Sequence, residues 1–255
     1  MPAFTNHVAI VTGSAKGIGL GVARHLAAQG ARVVVSDIDA AAAEAAAASL
    51  ENAVSIACDV RDEEQVKHLV NTTVDRLGRL DLMVANAGVG VVGPMLETDL
   101  AAWRTVTSVN LDGTFLSMRH AAPAIIASGG GSIVTIASVT GTTGMPLIGP
   151  YAATKAAIIN LSKTMATELR EHGVRVNSVL PGFLATDLVM DVAEVFEGYL
   201  GLEAGQFSSF VEQTQGGFVT VDEVARTVAY LADPAQVSMT GATVTLDGGL
   251  SAKLM

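Results

Sequence analysis

Val8-Ala9-Ile10-Val11-Thr12-Gly13-Ser14-Ala15-Lys16-Gly17-Ile18-Gly19 is the stretch on which the fold turns, because an apolar run passes there directly into a glycine-rich turn. Val8–Thr12 predicts a strand, and Leu20–Gln29, with apolar residues at helical spacing, predicts the helix after the turn. Strand, glycine turn and helix in that order are what a phosphate-binding loop requires. Gly13, Gly17 and Gly19 let the backbone turn tightly and approach a pyrophosphate, whose charge would meet the free N–H groups and positive dipole end of the helix. A plain strand-to-helix turn, with glycine needed only for packing, would account for the same residues.

Six further runs follow, at Val33–Ser36, Val54–Cys58, Leu82–Asn86, Ile133–Ser138, Val174–Pro181 and Thr243–Leu246. Each reads as continuously apolar, the pattern of a parallel sheet covered on both faces. Glu63–Leu77, Ala101–His120, Ala152–Glu171 and Val221–Ala232 carry helical spacing, the last with Val224, Val228 and Leu231 on one side. Alternating strands and helices without a linker predict one doubly wound α/β domain over residues 1–255, built on a parallel seven-stranded sheet. Only the forty or so residues between Pro181-Gly182 and Asp222 break this rhythm, and such excursions usually carry function.

The composition narrows the class. The 255 residues are 50% hydrophobic and only 16% charged, against roughly a quarter charged in ordinary soluble domains, so disorder is excluded. Aromatics are 4% and Gly numbers 26, with Ala40–Ala48 nearly pure alanine, so the core is made of small side chains. A net charge of −10 with no Lys/Arg-rich run makes nucleic acid and anionic membranes poor partners. Ala121–Thr154 lacks charge, but its glycines and prolines leave no span of about 20 apolar residues. No basic leader precedes Val8 and Cys58 is alone, so a cytoplasmic protein without a signal peptide is expected.

Asp37 ends the second strand about twenty residues beyond the glycine turn, where a carboxylate can accept hydrogen bonds from an adenosine ribose. It would repel a 2′-phosphate, and no Arg follows it, so NAD is favoured over NADP. Lys16 is the conflicting signal, since a cation in the loop could reach such a phosphate.

The spacing Gly-x-x-x-Gly-x-Gly resembles that of the classical short-chain dehydrogenases/reductases. The resemblance runs on through Asp59-Val60, Asn86-Ala87-Gly88, Asn110, Ser138, Tyr151-Ala152-Ala153-Thr154-Lys155, Pro181-Gly182 and Thr186, and spans Val8 to Gly249. It implies a Rossmann fold with a helical lid, and dinucleotide contacts from Gly13, Ser14, Lys16, Gly17, Ile18, Gly19, Asp37, Ile38, Asp59, Val60, Asn86, Ala87, Gly88, Tyr151, Lys155, Pro181, Gly182, Leu184 and Thr186. It also implies the catalytic roles. Tyr151 would exchange a proton with the alcohol or carbonyl oxygen, Ser138 would hydrogen-bond that oxygen, Lys155 would hold the nicotinamide ribose, and Asn110 would fix a relay water. A homotetramer through Ala101–His120, Ala152–Glu171 and the C-terminal segment is implied too. Two places depart from the family's pattern: Ala85, where a second Asn is common, and Gln215-Gly216-Gly217, where many members have a Gly-Arg pair.

The chemistry is sound on its own terms. Tyr151 and Lys155, four apart, share a helix face. A phenol of pKa about 10 is a poor base at neutral pH, and a nearby ammonium with an oxidised nicotinamide would lower it by roughly 2–3 units, worth about 3–4 kcal/mol. Ser138 lacks the flanking glycines of a nucleophile elbow, and the five histidines show no zinc-ligand spacing, so neither a serine hydrolase nor a metal site is expected.

Residues 183–221 predict two short helices with an apolar face of Leu188, Val192, Val195, Phe196, Tyr199, Phe207, Phe210 and Val211, where the family places its mobile substrate cover. Six of the ten Phe and Tyr residues lie there, with six acids and no Lys or Arg. Met145, Leu147 and Ile148 in the loop Gly141–Pro150, with the turn Val89–Pro94, add apolar wall. A neutral, hydrophobic ketone or secondary alcohol is the expected substrate. A 3-oxoacyl-thioester reductase and a catalytically idle dinucleotide sensor are the alternatives.

Overall fold

The computed structural model describes residues 3–252. Strands β1 (Val8–Thr12), β2 (Arg32–Ser36), β3 (Ala53–Ser55), β4 (Leu82–Ala85), β5 (Gly131–Ile136), β6 (Val174–Pro181) and β7 (Thr243–Leu246) form one sheet in the order β3-β2-β1-β4-β5-β6-β7. Every neighbouring pair is parallel. The described helices are α1 (Gly17–Ala28), α2 (Ala40–Ala48), α3 (Glu63–Leu77), α4 (Leu100–Thr107), α5 (Gly113–Ala127), α6 (Gly149–Leu169), α7 (Asp187–Met190), α8 (Ala193–Leu200), α9 (Phe207–Gln215) and α10 (Val221–Ala232). None of them is long and apolar enough to cross a membrane.

Side chains alternate across each strand, so the apolar runs feed two cores. Val11, Val33, Val35, Val84 and Val134 point to the face covered by α1, α2 and α10, where Val22, Leu26, Ala43, Val224 and Val228 meet them. Ile10, Val34, Met83, Ile133 and Val176 point to the other face, covered by α3, α5 and α6, where Val66, Leu69, Met118 and Ile125 are buried. The edge strand β7 differs. Thr243 and Thr245 are exposed, so its Thr-Val-Thr-Leu sequence is an alternating edge rather than a doubly buried run.

Four boundaries depart from the sequence reading. β3 ends at Ser55 because it has β2 as its only partner; Ile56 and Cys58 still donate to the Val35 and Asp37 carbonyls. α2 has no counterpart in the periodicity, since a run of alanines has no apolar face to read; Asp39 starts it by accepting from the Ala42 N–H. Ala101–His120 is two helices joined by a π-helical turn at Ser108–Asp112. The excursion after β6 contains three short helices, α7, α8 and α9, where two were expected.

Beneath the C-terminal edge, three buried hydroxyls tie the layers together. Thr135 on β5 bonds Ser178 on β6 at 2.8 Å and Ser162 on α6 at 3.0 Å.

Candidate active site

Chain connections diverge between neighbouring β1 and β4, since β1 leads to α1 on one face and β4 to α4 and α5 on the other. A crevice at the C-terminal ends of the strands follows from that reversal. Every candidate residue lies along this edge: Gly13 after β1, Asp37 after β2, Asp59 after β3, Asn86 after β4, Ser138 after β5 and Gly182 after β6.

The glycine loop is shaped for an anion. Gly17 has φ +57°, and no atom lies within 4 Å of where a Cβ would stand, so the space over the loop is open. Gly19 is required for the opposite reason, since a Cβ there would strike the Gly13 carbonyl and the Asn86 amide. The N-cap of α1, Lys16, gives no capping side chain, and the first turn holds no acid. An uncapped helix start with its donors directed at open space fits a pyrophosphate. Ile18 sits in that first turn.

Several other predicted contact residues also brace the loop. Asn86 Nδ2 donates to the Thr12 and Gly13 carbonyls at 2.9 Å each, and the Asn86 and Ala87 N–H groups donate to Thr12 Oγ1. Ser14 is fully buried; its hydroxyl donates to the Val11 carbonyl at 2.6 Å and its N–H to Ser36, so neither donor faces the crevice. Asp37 Oδ2 accepts from the Ala15 N–H at 3.1 Å, which holds the carboxylate against the loop, while Ile38 stands 63% exposed beside it. The Arg61 guanidinium grips Asp59 at 2.6 Å and holds its carboxyl below the usual range. Val60 is buried against Gly113. Lys16 Nζ lies 2.8 Å from Asp187 of α7, an exposed ion pair across the crevice.

Asn110 and Lys155 converge on Gly88, whose Cβ position would lie 3.4 Å from Asn110 Oδ1 and 3.6 Å from Lys155 Nζ, and Tyr151 joins Lys155 to Ser138. The π-helical turn carries Asn110 inward. Its Oδ1 accepts from the Val89 N–H at 2.8 Å, and its Nδ2 donates to the Val89 carbonyl at 2.9 Å and to Thr154 Oγ1 at 3.3 Å. Lys155 is buried, donates to the Ile136 carbonyl at 2.8 Å and stands 5.3 Å from the Tyr151 ring centre. Burial lowers its pKa to about 8. Burial likewise pushes the Tyr151 phenol up to about 12, and the hydrogen bond from Ser138 pulls it partly back. In the free chain the phenol thus stands above its ordinary value, because burial outweighs the Ser138 hydrogen bond.

Beyond Pro181, the end of β6, the Gly182 N–H donates to the Leu246 carbonyl of β7. Leu184 is buried and bridges Val219, and Thr186 begins α7. Phe207 is at the centre of a separate apolar cluster, with Phe183, Phe196, Phe210 and Phe218 ringed around it. Leu147, at φ +69°, plugs into this cluster from the loop before Tyr151, and its carbonyl accepts from the Gly93 N–H. The side chain of Leu188 lies outside the described residues.

Three residues of this region were not read as functional. Gln215, noted only as a departure from the family pattern, is 3% exposed; its amide accepts from the Phe183 N–H and donates to the Phe183 and Gly217 carbonyls. Glu197, counted among the acids of the cover, is buried and accepts from the Gly205 and Phe207 N–H groups. Thr140 donates to Ser138 through both its N–H and its hydroxyl. No local signal could have found the first two, whose partners, Gly217 apart, are eight or more residues away along the chain.

Comparison with known proteins agrees with this geometry. Residues 13–251 match the family model described as "Enoyl-(Acyl carrier protein) reductase". The chain is 37% identical over 255 residues to the cis-4-hydroxycyclohexanecarboxylate dehydrogenase of Sinomonas cyclohexanicum, covering 98% of each chain. It is 36% identical to the 3-oxoacyl-[acyl-carrier-protein] reductase of Synechocystis, covering 98% of this chain and 99% of that one. A gluconate 5-dehydrogenase from Burkholderia cenocepacia, solved with NADP and tartrate, superposes with a TM-score of 0.90 at 31% identity over 99% of this chain and 98% of that one. With its parallel seven-stranded sheet, glycine loop and Ser-Tyr-Lys cluster, the chain belongs to the classical short-chain dehydrogenases/reductases, a family of nicotinamide-dinucleotide oxidoreductases.

Proposed function

We propose that the chain is an NAD-dependent dehydrogenase that interconverts a secondary alcohol and a ketone on a neutral, hydrophobic small molecule. The convergence of Ser138, Tyr151 and Lys155 at the strand edge, beside a helix start fitted to a pyrophosphate, carries this reading. The α1 N-terminus with Gly17 and Gly19 would hold the pyrophosphate, Asp37 the adenosine ribose and Lys155 the nicotinamide ribose. Bound there, the dinucleotide supplies the hydride acceptor or donor.

In the oxidative direction, the Tyr151 oxygen takes the proton from the alcohol oxygen while Ser138 donates a hydrogen bond to that oxygen. Burial pushes the phenol up to about 12, where it is a poor base, and Lys155 would hold an oxidised dinucleotide whose positive charge would lower it. In the reductive direction the protonated phenol is the resting form and serves directly as the acid. Asn110, fastened to Val89 and Thr154, keeps the floor of this site in register.

The carboxylate of Asp37 supports NAD over NADP, as does the pairing of Lys16 with Asp187 rather than its remaining free for a 2′-phosphate. Residues 183–221 act as the substrate cover, and their phenylalanine cluster supports an apolar substrate. The homotetramer implied by the family belongs to the same reading.

NADH formation from a panel of cyclic and acyclic secondary alcohols is the test, with an acetoacetyl thioester in the reductive direction as the contrasting arm. Turnover of alcohols with NAD, lost by at least about a hundredfold in Tyr151→Phe with NADH binding retained, is the expected outcome. Reduction of the thioester alone would replace this reading by the 3-oxoacyl reductase, and NADH binding without any turnover by the sensor.

A further inference from the structure

We propose that Thr140 is a positioning residue that fixes Ser138 as a hydrogen-bond donor toward the crevice, to Tyr151 in the free chain and to the reacting oxygen once substrate is bound; the inference rests on the dehydrogenase reading above. A serine hydroxyl has one proton to give and two acceptor positions. Both acceptor positions of Ser138 are filled by Thr140, whose N–H reaches the Ser138 oxygen at 3.3 Å and whose hydroxyl reaches it at 3.0 Å. The Ser138 proton is then left for the open side, where Tyr151 lies. The direction in which Ser138 moves the Tyr151 phenol, downward, is that of a donor to the phenolate oxygen.

Local structure makes this arrangement stiff. Ser138 leaves β5 in extended conformation and caps a single 3-10 turn, Val139–Gly141. The Gly141 N–H closes the turn on the Ser138 carbonyl at 3.0 Å. Gly141 also packs directly on α6, where a Cβ would stand 2.8 Å from the Lys155 carbonyl carbon and 2.8 Å from Ile159 Cδ1. Thr140 is β-branched and stiff at χ1, so its hydroxyl is not free to seek water instead. Without that hydroxyl, one acceptor position of Ser138 opens and the Tyr151 O–H can donate into it. That reversed bond would favour the neutral phenol and oppose proton removal from an alcohol.

Thr140→Val keeps the shape and removes the hydroxyl; Thr140→Ser restores the hydroxyl alone. Steady-state alcohol oxidation across pH 6 to 10, with NADH binding followed by fluorescence, should give a Val variant whose kcat falls by about tenfold with KM changed far less. The ascending limb of its pH profile should move upward by about half a unit or more, while NADH affinity is kept. The Ser variant should recover both kcat and the profile. A Val variant with wild-type kcat and profile, or a Ser variant as impaired as the Val one, would overturn the inference. Full activity of Tyr151→Phe would instead remove the reading on which it rests, so the two failures are told apart.

Discussion

The glycine-loop half of the crevice and the cover over residues 183–221 are held together by different physics. In the first, short polar side chains clamp backbone to backbone: Asn86 and Thr12 join β4 to β1, Ser14 joins β1 to β2, and Asp37 reaches back to Ala15. Each clamp is anchored in a doubly covered sheet, where an unpaired polar group would cost about 1–3 kcal/mol. In the cover, three helices of four, eight and nine residues hold on through a phenylalanine cluster, one buried Gln215 and one buried Glu197. Val195 and Tyr199 of α8 remain exposed. Short helices have little stability of their own, so the cover is free to vary in sequence and shape while the opposite wall is not. A fixed wall suits a constant cofactor, and a loosely fastened one suits a changing substrate.

The largest effect that would sharpen this contrast comes from the ion buried in the fixed wall. Lys155 titrates near 8 in the folded chain and at about 10.5 when unfolded, so its burial penalty is fully present below pH 8 and is released as the pH rises toward 10.5. Lys155→Met lacks this slope. Its stability relative to the wild type should fall by about 3 kcal/mol between pH 7 and pH 10.5 in urea melts, and parallel pH curves would show that the ammonium is hydrated after all.

Next come two matched amide deletions. Asn86→Ala should destabilise the whole chain by about 2 kcal/mol, seen as a lower Tm. Gln215→Ala removes three side-chain bonds against the two lost with Asn86, yet should act mainly as faster hydrogen exchange and proteolysis within residues 183–218, with a smaller change in Tm. Equal drops in Tm would erase the distinction between the halves.

Smaller again is Asp37→Ala, which should shift the kcat/KM ratio of NAD to NADP by about tenfold toward NADP; no shift would take Asp37 out of cofactor selection. The smallest effect belongs to the only ion pair described between the halves. Lys16→Ala breaks an exposed contact with Asp187 and should leave the Tm almost unchanged; a clear drop would show that the pair fastens the cover.

The same division decides what could be read in advance. The strands inside the sheet were visible because buried parallel strands advertise themselves as apolar runs, the edge strand β7 only through its β-branched residues, and Glu63–Leu77 and Val221–Ala232 because each has one apolar face. Ser138, Tyr151 and Lys155 stood out only as an ordered set, since none has a local signature of its own. The π-helical turn at Asn110 was hidden because helical spacing continues through it, and α2 because alanine on every side leaves no face. In the cover, burial of Glu197 and Gln215 depends on backbone groups that only the folded helices bring near.

The three hydroxyls of Thr135, Ser162 and Ser178 act as a vernier beneath the site. Thr135 stands three residues before Ser138, and Ser162 about two helical turns beyond Lys155, so their bond ties the departure point of the serine to the phase of the helix that carries tyrosine and lysine. If β5 slipped by one residue, Ile136 or Val134 would face two buried hydroxyls and leave them without partners, and Ser138 would emerge displaced from Tyr151. Misregistered chains would thus lose stability and proton transfer together, so selection against misfolding and selection for catalysis act on the same three oxygen atoms.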